Sequence, residues 1–208
     1  MRTDLIIFDC DGVLVDSEGI ANAVTAEWLT NVGLATTADE AIERYKGLSM
    51  ASILAKSEAA LGTPLPLDFL DTLQAETFAR FERELKPIEG AEALIEWVQA
   101  KGYQTCIASS GSFGKMDVTL AITGLKHYFS GKIFSATQVM RGKPEPDLFL
   151  YACKEMGAEP QHAIVIEDSQ AGVEAALAAK MRVFAYGDFQ TQPGVTPVQS
   201  LSEIPSLL

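Results

Sequence analysis

The sequence of 208 residues is long enough to bury a sizeable core, and 48% of its residues are hydrophobic. A formal net charge of −12 argues against the basic face that a nucleic acid or an anionic membrane requires. We therefore expect no partner of either kind, and we expect a monomer or a weak homodimer. A small anionic substrate remains compatible with this charge, because a metal ion and one or two lysines can reverse the potential locally.

No apolar run approaches the length of a membrane span, and the first residues lack the pattern of a signal peptide. We therefore expect a cytoplasmic protein. The cysteines lie in apolar segments without metal-ligand spacing, so we expect buried, reduced thiols at Cys10, Cys106 and Cys153. The two histidines give little support to a histidine-based triad or a histidine-ligated zinc site.

The first predicted element is a strand over residues 5–8, where four consecutive apolar residues are typical of a buried strand in a parallel sheet. After Ser17 the pattern becomes helical, with apolar residues at spacings of three and four. Thr37 and Glu40 match a capping box ahead of a short helix. Ser49 is predicted to cap the helix that follows it.

Residues 17–86 are predicted to be entirely helical, and from there onward helices and strands alternate. The predicted strands are 105–108, 132–135, 163–166 and 183–185, and the predicted helices are 91–101, 112–123, 147–156 and 171–180. Such alternation implies right-handed crossovers and a parallel sheet. We therefore predict an α/β fold, a Rossmann-like parallel sheet flanked by helices, formed by residues 1–16 and 87–208 with an all-helical insertion. The tail after Gly187 is expected to be weakly structured until Leu201.

Two carboxylates directly follow the first strand, in the run Asp9-Cys10-Asp11-Gly12. Ligands of open α/β sheets bind at the carboxyl ends of strands, and alternation along an extended backbone points Asp9 and Asp11 the same way. Two like charges this close are unfavourable unless a cation lies between them, which favours an oxygen-liganded metal ion, most simply Mg²⁺. An ordinary turn is the alternative interpretation of this stretch.

Three further strand ends carry polar residues. The run Ser109-Ser110-Gly111 offers hydroxyl and loop N–H groups to an anion, ahead of a helix N-terminus. Lys143 lies in the proline-stiffened run Gly-Lys-Pro-Glu-Pro-Asp, and Glu167-Asp168-Ser169 supplies a second acidic pair. Each could by itself be a turn, a surface lysine or a helix cap. Together they predict a cation site beside an anion site, which suits phosphoryl transfer.

These motifs resemble, in order, the four motifs of the haloacid dehalogenase superfamily. The matching stretches are Asp9-Cys10-Asp11-Gly12-Val13, Ser109, Lys143 in Gly-Lys-Pro-Glu-Pro-Asp, and Glu167-Asp168. The resemblance covers essentially the whole chain, including a helical cap, residues 17–86, inserted after the first motif. The chain looks most like the subgroup of phosphosugar phosphatases and β-phosphoglucomutases. This implies a Mg²⁺-dependent phosphatase of small phosphorylated metabolites, such as sugar phosphates or phosphosugar acids.

By this resemblance Asp9 is the nucleophile that forms an aspartyl-phosphate, and Asp11 is the acid–base residue. Ser109 and Lys143 would hold the phosphoryl oxygens, with Ser110 and Gly111 as further phosphate-binding residues. We also expect three substrate contacts outside the motifs, from Glu18, Lys46 and Lys115. The alternative for each of these three residues is an exposed position without a role.

The resemblance also implies a Mg²⁺ ion bound by Asp9, by Asp11 through its backbone carbonyl, and by Asp168. Glu167 would lie in or near the coordination shell of this ion. An aspartate at position 11 argues against dehalogenation, because the true dehalogenases of the superfamily lack that aspartate and need no metal.

Two cap positions bear on the choice between a phosphatase and a mutase. Mutases of the β-phosphoglucomutase type carry a histidine where Ala21 stands, and an arginine that grips a second phosphate where Met50 stands. Both departures favour hydrolysis, with the mutase as the alternative. A phosphate-binding signalling module without enzymatic activity is a more distant alternative, because such modules have neither the helical insertion nor the second aspartate.

Overall fold

The structure is a computed structural model of the chain, and it describes residues 3–45 and 50–208, apart from the side chain of Ala51. The predicted cap Ser49 and the predicted substrate contact Lys46 lie outside the described residues. Within the described ranges, no helix is both long enough and apolar enough to cross a membrane.

The chain divides into two compact units, which we call the sheet unit and the helical unit. The sheet unit runs to Val15 and resumes at Pro87, whereas the helical unit is the continuous segment Asp16–Lys86. The N–H of Asp16 donates to the carbonyl oxygen of Lys86 at 3.0 Å, so the two ends of the helical unit lie side by side. An insertion whose ends meet can interrupt a sheet protein without disturbing the pairing of its strands.

A six-stranded parallel sheet forms the centre of the sheet unit. Its strands are β1 (Leu5–Phe8), β2 (Gln104–Ser109), β3 (Ile133–Ser135), β4 (Ala163–Glu167), β5 (Arg182–Tyr186) and β6 (Val195–Val198). They lie in the order β3-β2-β1-β4-β5-β6, and Leu5 of β1 is paired with Gln104 on one side and Ala163 on the other. The strand order reverses beside β1, and crevices for ligands form at such a reversal. The predicted α/β class with a parallel sheet is confirmed.

The helical unit contains only helices among its described elements. These are α1 (Glu18–Asn31), α2 (Ala38–Tyr45), α3 (Met50–Leu61) and α4 (Phe69–Glu84). Their core includes Leu29, Phe69 and Leu73, which are each at most 2% exposed. The predicted capping box of α2 is confirmed, since the Glu40 carboxylate accepts the Thr37 N–H at 2.8 Å and the Thr37 hydroxyl accepts the Glu40 N–H at 3.2 Å.

The sheet unit buries apolar side chains against its helices, as a parallel sheet requires. The helices are α5 (Ala91–Ala100), α6 (Phe113–Ile122), α7 (Asp147–Glu155) and α8 (Gln170–Ala178), with short 3₁₀ helices at Leu125–Phe129, Ala136–Gln138, Pro160–His162 and Leu201–Ser206. All four residues of β1 are fully buried. The predicted buried thiols are confirmed at Cys10, Cys106 and Cys153, which are free and buried.

The predicted weak structure after Gly187 is wrong. Residues Val195–Val198 form β6, which pairs in parallel with β5 and extends the sheet, and Val195 and Val198 are nearly fully buried. Ser200 then begins the last 3₁₀ helix with a capping box. The tail is rich in glutamine, proline and serine, but two buried valines at the two ends of a short strand are sufficient to anchor it.

Candidate active site

Asp9 and Asp11 lie where β1 ends, beside the reversal of the strand order. The N–H of Asp9 donates to the carbonyl oxygen of Ile166 in β4 at 3.0 Å, so this residue still belongs to the edge of the sheet. Asp9 is 6% exposed, and Cys10 between the two aspartates is fully buried. Gly12 has a φ of 82°, a left-handed conformation that turns the chain away from the sheet at little cost for glycine.

Lys143 joins Asp9 to the end of β4. Its ammonium donates to Asp9 Oδ1 at 2.5 Å and to Glu167 Oε1 at 2.6 Å, and its side chain is only 4% exposed. Burial by itself lowers the pKa of Lys143, but the two carboxylates outweigh it and raise that pKa above its ordinary value. Lys143 is therefore a fixed ammonium group at the first carboxylate after β1.

Glu167 is held by hydrogen bonds on both of its oxygens. Oε1 accepts from Lys143, while Oε2 accepts the N–H and the hydroxyl of Ser169 at 2.7 and 2.9 Å. A Cβ at Gly172 would lie 1.8 Å from Oε1, so only glycine on this turn of α8 leaves room for the carboxylate. These contacts assign Glu167 to holding Lys143 in place, and its predicted role in or near a metal shell stays a prediction.

The loop that follows β2 carries the predicted phosphate-binding residues. Ser109 is 1% exposed, and its Oγ accepts the N–H of Gly111 at 3.0 Å, while Ser110 lies exposed between them. Ser135 is fully buried at the end of β3, and its hydroxyl donates to the carbonyl oxygen of Gly111 at 2.7 Å. The sequence reasoning missed Ser135, although a serine that ends the neighbouring strand and caps the next turn was an available signal.

Lys115 lies in the first turn of α6 and contacts the second aspartate. Its ammonium is 2.8 Å from Asp11 Oδ1, and both side chains are partly buried. Ser112 caps this helix by accepting the N–H of Lys115 at 3.2 Å. Lys115 therefore contacts a residue of the predicted site, Asp11, and the sequence reasoning did not predict this contact.

Asp168 lies against the backbone turn that carries Asp11. A Cβ at Gly12 would be 2.2 Å from Asp168 Oδ2, so the carboxylate occupies the space that a side chain would fill. Burial raises the pKa of Asp9 well above its ordinary value; Lys143 opposes this, while Glu167, Asp168 and Asp11 raise it further. This edge of the sheet concentrates negative charge that one buried ammonium group does not balance.

The donor set at this edge fits a divalent cation that prefers oxygen. As candidate ligands, the carboxylates of Asp9 and Asp168 and the backbone carbonyl of Asp11 would suit Mg²⁺, because it binds one or two carboxylates and retains waters. Across residues 3–45 and 50–208, no three side chains of histidine, cysteine, aspartate or glutamate form a metal-binding group. A metal here would therefore rely on the carbonyl and on water besides the two carboxylates.

The loop before Lys143 is stabilised by ion pairs that the sequence reasoning did not use. Arg141 donates to both carboxylate oxygens of Asp147, the first residue of α7, at 3.1 and 2.8 Å. It also lies 3.2 Å from Glu145.

The predicted substrate contact Glu18 is the first residue of α1, in the helical unit.

Comparison with known proteins identifies the class of protein. The family model described as haloacid dehalogenase-like hydrolase matches residues 6–186. The chain is 32% identical to the 6-phosphogluconate phosphatase of Escherichia coli K12, over 99% of this chain and 95% of that protein. The chain therefore belongs to the haloacid dehalogenase-like hydrolase family, as the resemblance implies.

Solved structures agree with this assignment. A family hydrolase of Deinococcus radiodurans, crystallised with bound phosphate and sodium, is 33% identical with a TM-score of 0.73, over 89% of this chain and 81% of that one. A protein of Thermotoga maritima, provisionally called a β-phosphoglucomutase, is 25% identical with a TM-score of 0.80, over 99% of this chain and 98% of that one. A protein described as a hydrolase and one provisionally described as a mutase thus share this fold.

Proposed function

We propose that the chain is a Mg²⁺-dependent phosphatase of small phosphorylated sugars or sugar acids, which works through an aspartyl-phosphate on Asp9. The enzyme is a phosphoric monoester hydrolase, the class of its relative named 6-phosphogluconate phosphatase. The observation that carries the proposal is the buried contact of Lys143 with both Asp9 and Glu167 where β1 and β4 end. A buried ammonium next to a carboxylate suits a site where a phosphoryl group meets its nucleophile.

In the first step, an oxygen of the Asp9 carboxylate attacks phosphorus, and the bond from phosphorus to the leaving oxygen breaks. The proton of the Asp11 carboxyl group moves to that leaving oxygen, so the sugar departs as an alcohol. Lys143 already touches Asp9 Oδ1, which orients the nucleophile and places positive charge where the phosphoryl oxygens arrive.

In the second step, a water molecule attacks phosphorus and gives a proton to the Asp11 carboxylate. The bond between phosphorus and Asp9 breaks, which releases inorganic phosphate and restores both aspartates to their starting states. Asp11 is two residues beyond Asp9 on a turned backbone, so it can reach the leaving oxygen and the water without competing for phosphorus.

The phosphoryl oxygens would be bound by the loop that follows β2. Ser109 Oγ accepts the N–H of Gly111, which leaves its hydroxyl hydrogen available to donate to a phosphoryl oxygen. The exposed Ser110 offers a second hydroxyl. Buried Ser135 holds the Gly111 carbonyl and so keeps this loop in one conformation.

We also propose that Asp9, Asp168 and the carbonyl of Asp11 hold the Mg²⁺ ion. Bound there, it would neutralise charge on the transferring phosphoryl group. The role of the protein is then to keep these donors in place, which Gly12 does by leaving room for the Asp168 carboxylate. Glu18 and Lys46 stay proposed substrate contacts.

A mutase is the second candidate, because the T. maritima neighbour carries that name. Ala21 and Met50 weigh against it, since neither can supply the histidine or the phosphate-gripping arginine of such mutases. Met50 begins α3 with a partly exposed side chain, and methionine has no charge to offer a second phosphate. Incubation of a sugar 1-phosphate with a bisphosphate primer tests this candidate, and isomerised product would support it.

The decisive experiment measures phosphate release from a panel of sugar phosphates and phosphosugar acids, including 6-phosphogluconate, with Mg²⁺ and with a chelator. We expect release only with Mg²⁺, and a loss of roughly 10³-fold or more in kcat for Asp9→Asn. Asp117→Asn is the matched control, because Asp117 is an exposed aspartate paired with Lys126 at 2.6 Å, and it should keep full activity. Full activity under chelation, or in Asp9→Asn, would overturn the proposal.

A further inference from the structure

Each of the two aspartates that follow β1 contacts a different lysine. Lys143 contacts Asp9 Oδ1, and Lys115 lies 2.8 Å from Asp11 Oδ1. The mechanism proposed above explains Lys143 but gives no role to Lys115. An ion pair between partly buried groups is more than a surface contact, since the side chains of Lys115 and Asp11 are only 28% and 17% exposed.

Hydrogen bonds hold the backbone around Asp11, so the position of the carboxylate depends on the torsion angles of the Asp11 side chain. The N–H of Gly12 donates to the carbonyl oxygen of Val15 at 2.9 Å. The N–H groups of Leu14 and Val15 both donate to the carbonyl oxygen of Cys10, at 2.9 and 3.0 Å. A single contact that selects the torsion angles of the side chain can therefore set the position of both carboxylate oxygens.

Lys115 is well placed to make that selection. Its own N–H is capped by Ser112, and the next residue, Met116, is buried, so the first turn of α6 is anchored to the sheet unit. The other oxygen of Asp11 borders the 109–111 loop, where a Cβ at Gly111 would lie 3.4 Å from Oδ2. The carboxylate thus lies between an ammonium group and the loop that is proposed to bind phosphate.

We propose that Lys115 is a positioning residue, which holds the Asp11 carboxylate beside the 109–111 loop through their ion pair. This inference rests on the proposed function, and it replaces the expectation that Lys115 contacts the substrate. In the step where Asp11 acts as the acid, the Lys115 ammonium donates to Oδ1 and the proton is carried on Oδ2, from which it moves to the leaving oxygen while Asp9 bonds to phosphorus and the ester bond breaks. Proton transfer requires the carboxyl group within hydrogen-bond reach of that oxygen, so a displaced Asp11 slows this step.

The test compares two esters that differ in their need for a proton on the leaving oxygen. Without a proton, the sugar of a sugar phosphate would have to leave as a basic alkoxide, whereas p-nitrophenyl phosphate releases a stabilised phenolate that needs no proton. For Lys115→Met, we expect single-turnover cleavage of the sugar phosphate to fall roughly 10–100-fold and that of p-nitrophenyl phosphate less than about 3-fold. KM for the sugar phosphate should stay within about 2-fold of its original value, because no substrate contact is lost.

Two further variants complete the test. Lys115→Arg should recover most of the sugar phosphate activity, because a guanidinium group can still pair with the Asp11 carboxylate. Lys126→Met is the matched control, since it removes the lysine that pairs with Asp117, another aspartate of α6, and it should leave both rates unchanged.

The outcomes separate this inference from the proposed function. Equal losses on both esters for Lys115→Met would overturn the positioning role, because they indicate a damaged fold or a lost phosphate contact. A large rise in KM without a change in kcat would also overturn it, in favour of direct substrate binding. If the unmodified enzyme cleaves neither ester in the presence of Mg²⁺, the proposed function itself fails.

Discussion

Charged side chains that contact one another are buried at the carboxyl end of the sheet, whereas a charged pair in the helical unit is exposed to water. At the sheet, the side chains of Asp9, Lys143 and Glu167 are at most 8% exposed and contact one another directly. In the helical unit, Arg80 donates to both oxygens of Glu27 at 2.8 Å, but the glutamate side chain is 55% exposed. The first arrangement takes charge out of water, whereas the second leaves it hydrated.

This difference indicates what each group is for. Removing ions from water is costly. A buried ion pair is therefore weak evidence of stability, because replacing it with apolar residues of the same volume often leaves a protein at least as stable. An exposed pair costs little and contributes little. The buried charges at the sheet are therefore best explained by chemistry that needs them in place before substrate arrives, and the exposed pair by modest surface stabilisation.

The largest effect is expected for Lys143→Met, which breaks the buried arrangement. Asp9 and Glu167 would lose their shared cation, so we expect a loss of about 2–5 kcal/mol in the free energy of unfolding, measured by urea denaturation. Phosphatase activity should fall by roughly 10³-fold or more, because the nucleophile loses its cation. Lys126→Met, which removes an exposed pair, should change neither quantity appreciably. A stable and active Lys143→Met would remove the contrast between the two regions.

A pair of glycine substitutions sharpens the same comparison without changing any charge. Gly172→Ala places a Cβ 1.8 Å from Glu167 Oε1, so the carboxylate must move away from Lys143. We expect a loss of about 1–3 kcal/mol in stability, together with reduced kcat. Gly114→Ala is the control in α6, where a Cβ meets nothing within 4 Å, and it should stabilise the protein by about 0.5–1 kcal/mol. Equal stability of the two variants in a melting experiment contradicts this account.

Much of this edge could be predicted from the sequence because each of its residues follows a recognisable strand. The apolar runs at 5–8 and 163–166 predict neighbouring buried strands, and parallel strands end at the same edge of a sheet. Asp9 and Glu167 are thereby expected near one another, and the structure has Lys143 in contact with both. The α/β class follows from the alternation of predicted strands and helices after residue 86.

What the sequence could not supply depends on contacts between elements. Ser135 reaches Gly111 only because β3 lies next to β2, with Ser109 and Ser135 paired in register. The contact of Lys115 with Asp11 depends on how α6 is rotated against the sheet, which a weak periodicity does not reveal. The strand β6 was missed for a related reason, since four residues containing a proline give too short a pattern to detect.

Ser135→Ala tests one of these hidden contacts and should have an intermediate effect. The Gly111 carbonyl would lose its buried donor, which we expect to cost about 0.5–1.5 kcal/mol in stability. Because the 109–111 loop would be less well held, kcat should also fall, by roughly 3–10-fold. Ser200→Ala is the control, since Ser200 caps the last 3₁₀ helix, and it should affect stability alone. A normal kcat for Ser135→Ala would show that the loop needs no support from β3.

The smallest effect is expected for Arg80→Ala, which removes the exposed pair of the helical unit. The Glu27 hydrogen bond raises the pKa of Arg80, and an arginine is charged at every accessible pH even without such a contact. Both charges nevertheless remain close to water, and we expect a loss of only about 0.2–1 kcal/mol, which should shrink further at high salt. Urea denaturation at low and high ionic strength measures this difference. A loss as large as that of Lys143→Met, unchanged by salt, would mean that hydration does not separate the two regions, and the buried charges would then need no functional explanation.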